Sequence, residues 1–151
     1  MNAKLIAVGS ELLRFGRHDS NGDWITERLQ RLGVEVIGRS LVGDEQDLTA
    51  AAIEAAAASA DVVVITGGLG PTSDDVTREG FADAMGLELV IDEQVVAGIR
   101  KRFRRRGLEM PDVNRRQAMV IRGAEVIPNR AGTAPALWIE WRGRNDKLTT
   151  V

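Results

Sequence analysis

Residues 66–77 read TGGLGPTSDDVT, and their types and spacing could form an anion cradle flanked by carboxylates. Glycines at 67, 68 and 70 carry no side chains, so backbone N–H groups can approach an anion closely. Thr66, Thr72 and Ser73 offer hydroxyl donors, with Pro71 among them. A helix starting near Ser73 or Asp74, both good N-caps, would add unpaired N–H groups and the positive end of its dipole. No Gly-Lys-Ser/Thr follows, so this is not a Walker A loop, and the spacing differs from the dinucleotide GxGxxG. A glycine loop alone suits a tight strand-to-helix turn equally well.

Asp74 and Asp75 shift that balance. Two acids in a first helical turn complement the dipole, worth about 0.3–1 kcal/mol. Beside an anion cradle they would also repel a phosphate. A divalent cation bridging carboxylate and phosphate resolves the conflict, and a carboxylate there can also act as general base. Asp44 and Glu11 follow the ends of two other expected strands, which in a doubly wound sheet face one crevice. Asp44, Asp74 and Asp75 are therefore the candidate cation holders, with Glu11 in support.

The elements that would position these groups can be read from periodicity. KLIAV at 4–8 is a short buried strand, followed by loop chemistry at 16–21. Trp24, Ile25, Leu29 and Leu32 recur at helical spacing, with Gly33 as the stop. Residues 34–42 form a second strand, and the alanine-rich stretch 47–60 a helix. DVVVIT at 61–66 has no polar alternation, which predicts a central parallel strand covered on both faces. A short strand at 87–91, a helix at 93–106 and another over 113–119 follow. Residues 136–141 and 147–151 flank RGRND and predict an antiparallel hairpin. Alternation of strands and helices predicts an α/β domain with right-handed crossovers and a mostly parallel, finally mixed, sheet.

Composition narrows the chemistry. The chain has 151 residues, 44% of them hydrophobic, and a net charge of −2, so one domain with a real core is expected and a dedicated nucleic-acid partner is not. With no cysteine and a single histidine, a metal must find oxygen ligands, which favours hard cations. No apolar stretch spans a bilayer and no signal peptide opens the chain, so a cytoplasmic protein without membrane contact is expected.

Five segments then occur in one order: VGSELLRFG at 8–16, DSN at 19–21, VGDE at 42–45, TGGLGPTSDDVT, and NRAGTAP at 129–135. Together they resemble the N-terminal domain of the competence/damage-inducible protein CinA. That domain is similar to the molybdopterin-binding fold of the molybdenum cofactor biosynthesis proteins MoaB and MogA. The resemblance covers nearly the whole chain. It implies a three-layer α/β/α domain that forms homo-oligomers.

In the cofactor-synthesis relatives the glycine loop and two aspartates bind molybdopterin and support its adenylylation. Gly67, Gly68, Gly70, Asp44 and Asp75 match those positions. In CinA-type proteins the domain is associated instead with metal-dependent hydrolysis of ADP-ribose-like pyrophosphates, with Mg²⁺, Mn²⁺ or Co²⁺ as the metal. Gly132 and Thr133, from the GTAP segment, join the implied ligand-binding set, and Asp19 and Asn21 the supporting one. A binding module for a nucleotide or molybdopterin, without chemistry, is the third reading.

Two departures stand out. The family's GTAPG ends in Ala136, and relatives continue past residue 151 into a Pro-Gly loop that completes the site. The expectation is a single domain over 1–151, truncated at its C-terminal end.

Other motifs have simpler readings. Residues 100–106 pack six cations around Phe103, which suits a solvated helix face or an acidic partner subunit. His18 reads as exposed in its loop. Trp138 and Trp141 read as packing or oligomer contacts. Asn114 and Gln117 are possible pocket residues.

Overall fold

The computed structural model describes residues 1–142 and 148–151. The apolar runs become β1 (Asn2–Val8), β2 (Glu35–Val42) and β3 (Val62–Thr66), all parallel. β1 lies between β2 and β3, and the sheet is completed by β9 (Leu148–Thr150) and β8 (Glu140–Arg142), in the order β2-β1-β3-β9-β8. β3 pairs with β9 in parallel, and β9 with β8 antiparallel. The steps β1 to β2 and β2 to β3 run in opposite directions across the sheet. Two right-handed crossovers therefore put α1 (Ser20–Arg31) and α2 (Gln46–Ala57) on opposite faces. The expected three-layer α/β/α arrangement follows.

The main core lies on the α2 side. Ile6, Val8 and Val63 pack with Ile53, Ala56 and Ala57 of α2, and with Phe81 and Met85 of α3 (Thr77–Met85). Alanine on α2 lets the helix approach the sheet, and glycine on α3 lets the helices approach each other. A Cβ on Gly80 would lie 2.8 Å from Thr49 Cγ2. Thr49 is fully buried and its hydroxyl has no hydrogen-bond partner among the described residues. An unpaired buried hydroxyl is costly, so Thr49→Val should stabilise the domain by about 1 kcal/mol and raise Tm by about 2–4 °C. A lower Tm in thermal denaturation would contradict this.

Several expectations change in detail. The helix after the glycine loop begins at Thr77, not near Ser73 or Asp74, because Asp75 turns back to bind the loop. The helix expected over 113–119 is a 3-10 helix, Asp112–Ala118, after which Met119–Ile121 forms β5 against β4 (Leu89–Ile91). Its Asn114 and Gln117 are buried and bond to each other at 2.9 Å, which turns them inward. On α1, Ile25 and Leu29 are half-buried, but Trp24 is 59% exposed with Arg28 stacked 5.1 Å from its ring centroid.

The first strand of the expected hairpin divides its partners. β7 (Ala136–Trp138) pairs with β6 (Glu125–Ile127), while β8 pairs with β9, and Ile139 exchanges both backbone bonds with Val151. That strand is long enough to serve two ladders, which periodicity alone does not reveal. The expected turn, together with Lys147, lies outside the described residues. α4 (Glu93–Arg104) packs its buried Val96 and Ile99 on Ala118. Among the described residues no helix is long and apolar enough to cross a membrane.

Candidate functional site

The glycine loop leaves β3 through two left-handed residues, Gly67 at φ 86° and Gly68 at φ 59°. A Cβ on Gly67 would sit 1.9 Å from the carbonyl oxygen of Val8, so the loop touches the end of β1 backbone to backbone. Thr77 closes the loop's base. Its hydroxyl donates to Gly67 O at 2.8 Å and its amide to Gly68 O at 3.2 Å.

Part of the cradle is filled by the chain itself. Gly70 N donates to Asp75 Oδ1 at 2.7 Å, while the amide and hydroxyl of Thr72 donate to Asp75 Oδ2 at 2.9 and 2.6 Å. Gly70 is bare because a Cβ there would meet that carboxylate at 2.3 Å. Partial burial disfavours the charged carboxylate, but the Thr72 and Gly70 donors, with nearby Arg78, outweigh it and hold Asp75 below its ordinary pKa. Asp75 is thus a fixed anion and a poor base. Among the described residues, the amides of Gly67, Gly68 and Leu69 have no acceptor.

The loop's carbonyls are gripped from the other side by residues that motif reading did not single out. Buried Arg78 donates to Leu69 O at 2.8 Å and to Gly70 O at 2.7 Å. Burial pulls its pKa down, opposed by Glu79, yet an arginine stays charged. Arg116, from the 3-10 helix, bonds to Thr72 O and ion-pairs with Glu79 at 2.7 Å. Arg78 follows the motif directly, so its position was a usable signal. Arg116 is 44 residues from Thr72, and nothing local announces it.

Asp44 joins two strand ends. Ser10 N donates to Asp44 Oδ2 at 2.9 Å, and Asp44 N donates to Ser10 Oγ at 3.0 Å. The Glu11 carboxylate folds back over Gly9, where a Cβ would lie 2.6 Å from its oxygens. Because β1 sits between β2 and β3, both acids stand at the sheet edge that carries the glycine loop. Thr66 ends β3, Pro71 is half-buried in the turn, and Ser73 and Asp74 are exposed.

Asp19 caps α1 through Gly22 N and pairs with Arg39, and Asn21 is exposed in the first turn of that helix. His18, also exposed, pairs with Asp23. Gly132 and Thr133 line a cavity against α4 whose walls include no residue of the glycine loop.

A divalent cation would find no ready cage here, since among the described residues no three acidic or histidine side chains converge. Both oxygens of Asp75 are engaged, but Asp44 Oδ1 has no partner among the described residues. That donor set fits a cation held by one or two carboxylates and completed by ligand phosphate oxygens.

Comparison with known proteins places the chain in a family. Residues 4–143 match the family model described as a probable molybdopterin binding domain. A CinA-like protein of Koribacter versatilis is 48% identical over 140 residues, covering 93% of this chain and 34% of that protein. One from Solibacter usitatus is 43% identical over 143 residues, covering 95% and 34%. The crystal structure of CinA from Thermoplasma acidophilum, described as of unknown function, superposes with a TM-score of 0.86 at 34% identity, covering 99% of this chain and 85% of that one. The chain belongs to the CinA family.

The CinA likeness covers the glycine loop, both flanking strand ends and the GTAP segment. The tungsten cofactor synthesising protein MoaB of Pyrococcus furiosus matches at TM-score 0.60 and 21% identity, covering 99% of this chain and 78% of that one. That likeness shows the shared fold. This CinA domain spans about a third of the length of the curated relatives it matches.

Proposed function

We propose that the domain binds the diphosphate of an ADP-ribose-like nucleotide at the glycine loop and, with a divalent cation, hydrolyses it. The observation that carries the reading is the divided cradle. Asp75 occupies the amides of Gly70 and Thr72, which leaves Gly67, Gly68 and Leu69 to receive a phosphate. Three successive free N–H groups beyond a strand end are suited to anion binding.

The other residues have distinct tasks. Asp75 keeps the cradle's far half shut, and its held-down pKa makes it unsuited to proton abstraction. Asp44, with one oxygen unengaged, holds the cation or orients the attacking water, with Glu11 and Asp74 adding negative charge nearby. Mg²⁺, Mn²⁺ or Co²⁺ would neutralise phosphate charge and acidify a water. Water oxygen bonds to one phosphorus, the bridging P–O bond breaks, and AMP, ribose 5-phosphate and a proton leave.

A binding module for a nucleotide or molybdopterin is the second reading. It is favoured by the absence of three convergent metal-binding side chains among the described residues. Incubation with ADP-ribose and each metal tests the choice. Metal-dependent AMP release that falls about 100-fold or more in Asp44→Ala is expected. Saturable binding without turnover would sink hydrolysis in favour of the module, and transfer of AMP from ATP to molybdopterin would assign the chemistry implied by the MoaB and MogA resemblance.

A further inference from the structure

We propose that a second cavity, apart from the glycine loop, binds a small phosphorylated ligand with an apolar body, of the nucleoside monophosphate class. The cavity lies between α4 and residues 126–135 and has a volume of about 480 Å³. Ligand pockets commonly run about 300–1,000 Å³.

Its two walls differ in chemistry. Val95, Ile99, Val126 and Pro135 supply an apolar side. Lys101, Arg102 and Arg105 supply a cationic one. With Gly98 these cations fall at positions i, i+3, i+4 and i+7, one stripe of a helix, so half of the basic run at 100–106 is gathered on the cavity. Lys101 and Arg105 form no ion pair among the described residues, and like charges four apart on a helix repel. An anion in the cavity relieves that repulsion. The one acid in the lining, Asp92, is turned to the start of α4, where it accepts from the amides of Gln94 and Val95.

The cavity is also held open by construction. Arg102 Nη2 donates to Asn129 O at 3.0 Å and Arg130 O at 2.7 Å, pinning the far wall to the helix. Asn129 Oδ1 accepts from the amides of Ala131 and Gly132 at 2.8 and 2.9 Å, which fixes the turn that presents Thr133. Arg102 Nη1 is buried with no partner among the described residues. Gly98 completes the case. It sits inside a helix, where glycine costs about 0.5–1 kcal/mol relative to alanine, and a Cβ there would meet nothing within 4 Å. Neither backbone conformation nor packing requires glycine at 98, and it lies in the cavity lining.

Nitrogen-15-labelled protein titrated with AMP, adenosine and inorganic phosphate tests the site. AMP should shift the amides of Gly98, Gly132 and Thr133, and bind more tightly than adenosine or phosphate alone. The exposed pair Lys101→Gln with Arg105→Gln should weaken AMP about tenfold or more, one to two charge-assisted contacts' worth. Gly98→Leu, which favours the helix while filling the space, should abolish the shifts at Gly132 and Thr133. Unchanged AMP affinity in both cavity variants, or shifts confined to the glycine loop, overturns the proposal. Phosphate binding as tightly as AMP overturns its apolar half.

Discussion

Gly67→Ala should cost the domain several kcal/mol, the largest effect expected of any methyl-sized change in the loop. A left-handed conformation at a non-glycine residue costs roughly 1–2 kcal/mol, and φ at this position is 86°. The added Cβ would also fall 1.9 Å from Val8 O, a backbone atom in a central strand that cannot swing aside. Together these place the loss at about 3–5 kcal/mol and the fall in Tm at about 10 °C. Gly98→Ala is the matched control. With nothing near its Cβ and a helical backbone, it should gain about 0.5–1 kcal/mol. Equal effects of the two substitutions in thermal denaturation would mean that the contact between the loop and β1 is misjudged.

Asp75→Asn should disable the site while leaving the fold standing. The carboxylate accepts from Gly70 N, Thr72 N and Thr72 Oγ1. An asparagine oxygen replaces only part of this, and its NH₂ would face donors. Charge-assisted bonds of this kind reach about 1.5–3 kcal/mol each, but a partly exposed carboxylate is screened, so a net loss of about 2 kcal/mol is expected. ADP-ribose turnover should fall about 100-fold or more, because the freed amides of Gly70 and Thr72 would compete for the phosphate. Asparagine should be no better than alanine at this position.

The pH dependence has a definite sign. Folding lowers the pKa of Asp75 below its usual 3.8, so its ionised form stabilises the native state above that value. The contribution is lost as pH falls through the lower folded-state pKa. The stability gap between wild type and Asp75→Ala should therefore be full at neutral pH and close in acid. A gap that is constant down to strongly acidic pH would mean that the carboxylate is not the loop's anion.

Much of this was legible in the residues. The alternation of apolar runs with helical periods gave the parallel centre, and VVVIT could hardly be anything but an interior strand. The glycine loop and its two aspartates were visible as a chemical unit. What the residues concealed was the use of Asp75. An acid beside helix-capping residues looks like part of the first turn, and only tertiary packing reveals that its carboxylate fills half of the cradle. The later start of α3 is the same event seen from the backbone. Arg116 and Asp44 could not be paired with their partners from spacing, because their bonds cross 44 and 34 residues. Gly132 and Thr133, which the family likeness assigns to the ligand-binding set, line a cavity on α4.

The division of the cradle also explains how a loop rich in carboxylates could hold phosphate. Asp75 spends its charge on amides and on the field of Arg78, and it faces the half of the loop that a ligand does not need. The remaining half has donors without acceptors. The most direct measurement is an ADP-ribose titration of nitrogen-15-labelled protein in the presence of Mg²⁺, following each backbone amide. Saturable shifts at Gly67, Gly68 and Leu69, with Gly70 and Thr72 staying on Asp75, are the predicted result. Shifts restricted to Gly98, Gly132 and Thr133, or none at all, would contradict a phosphate site in the glycine loop.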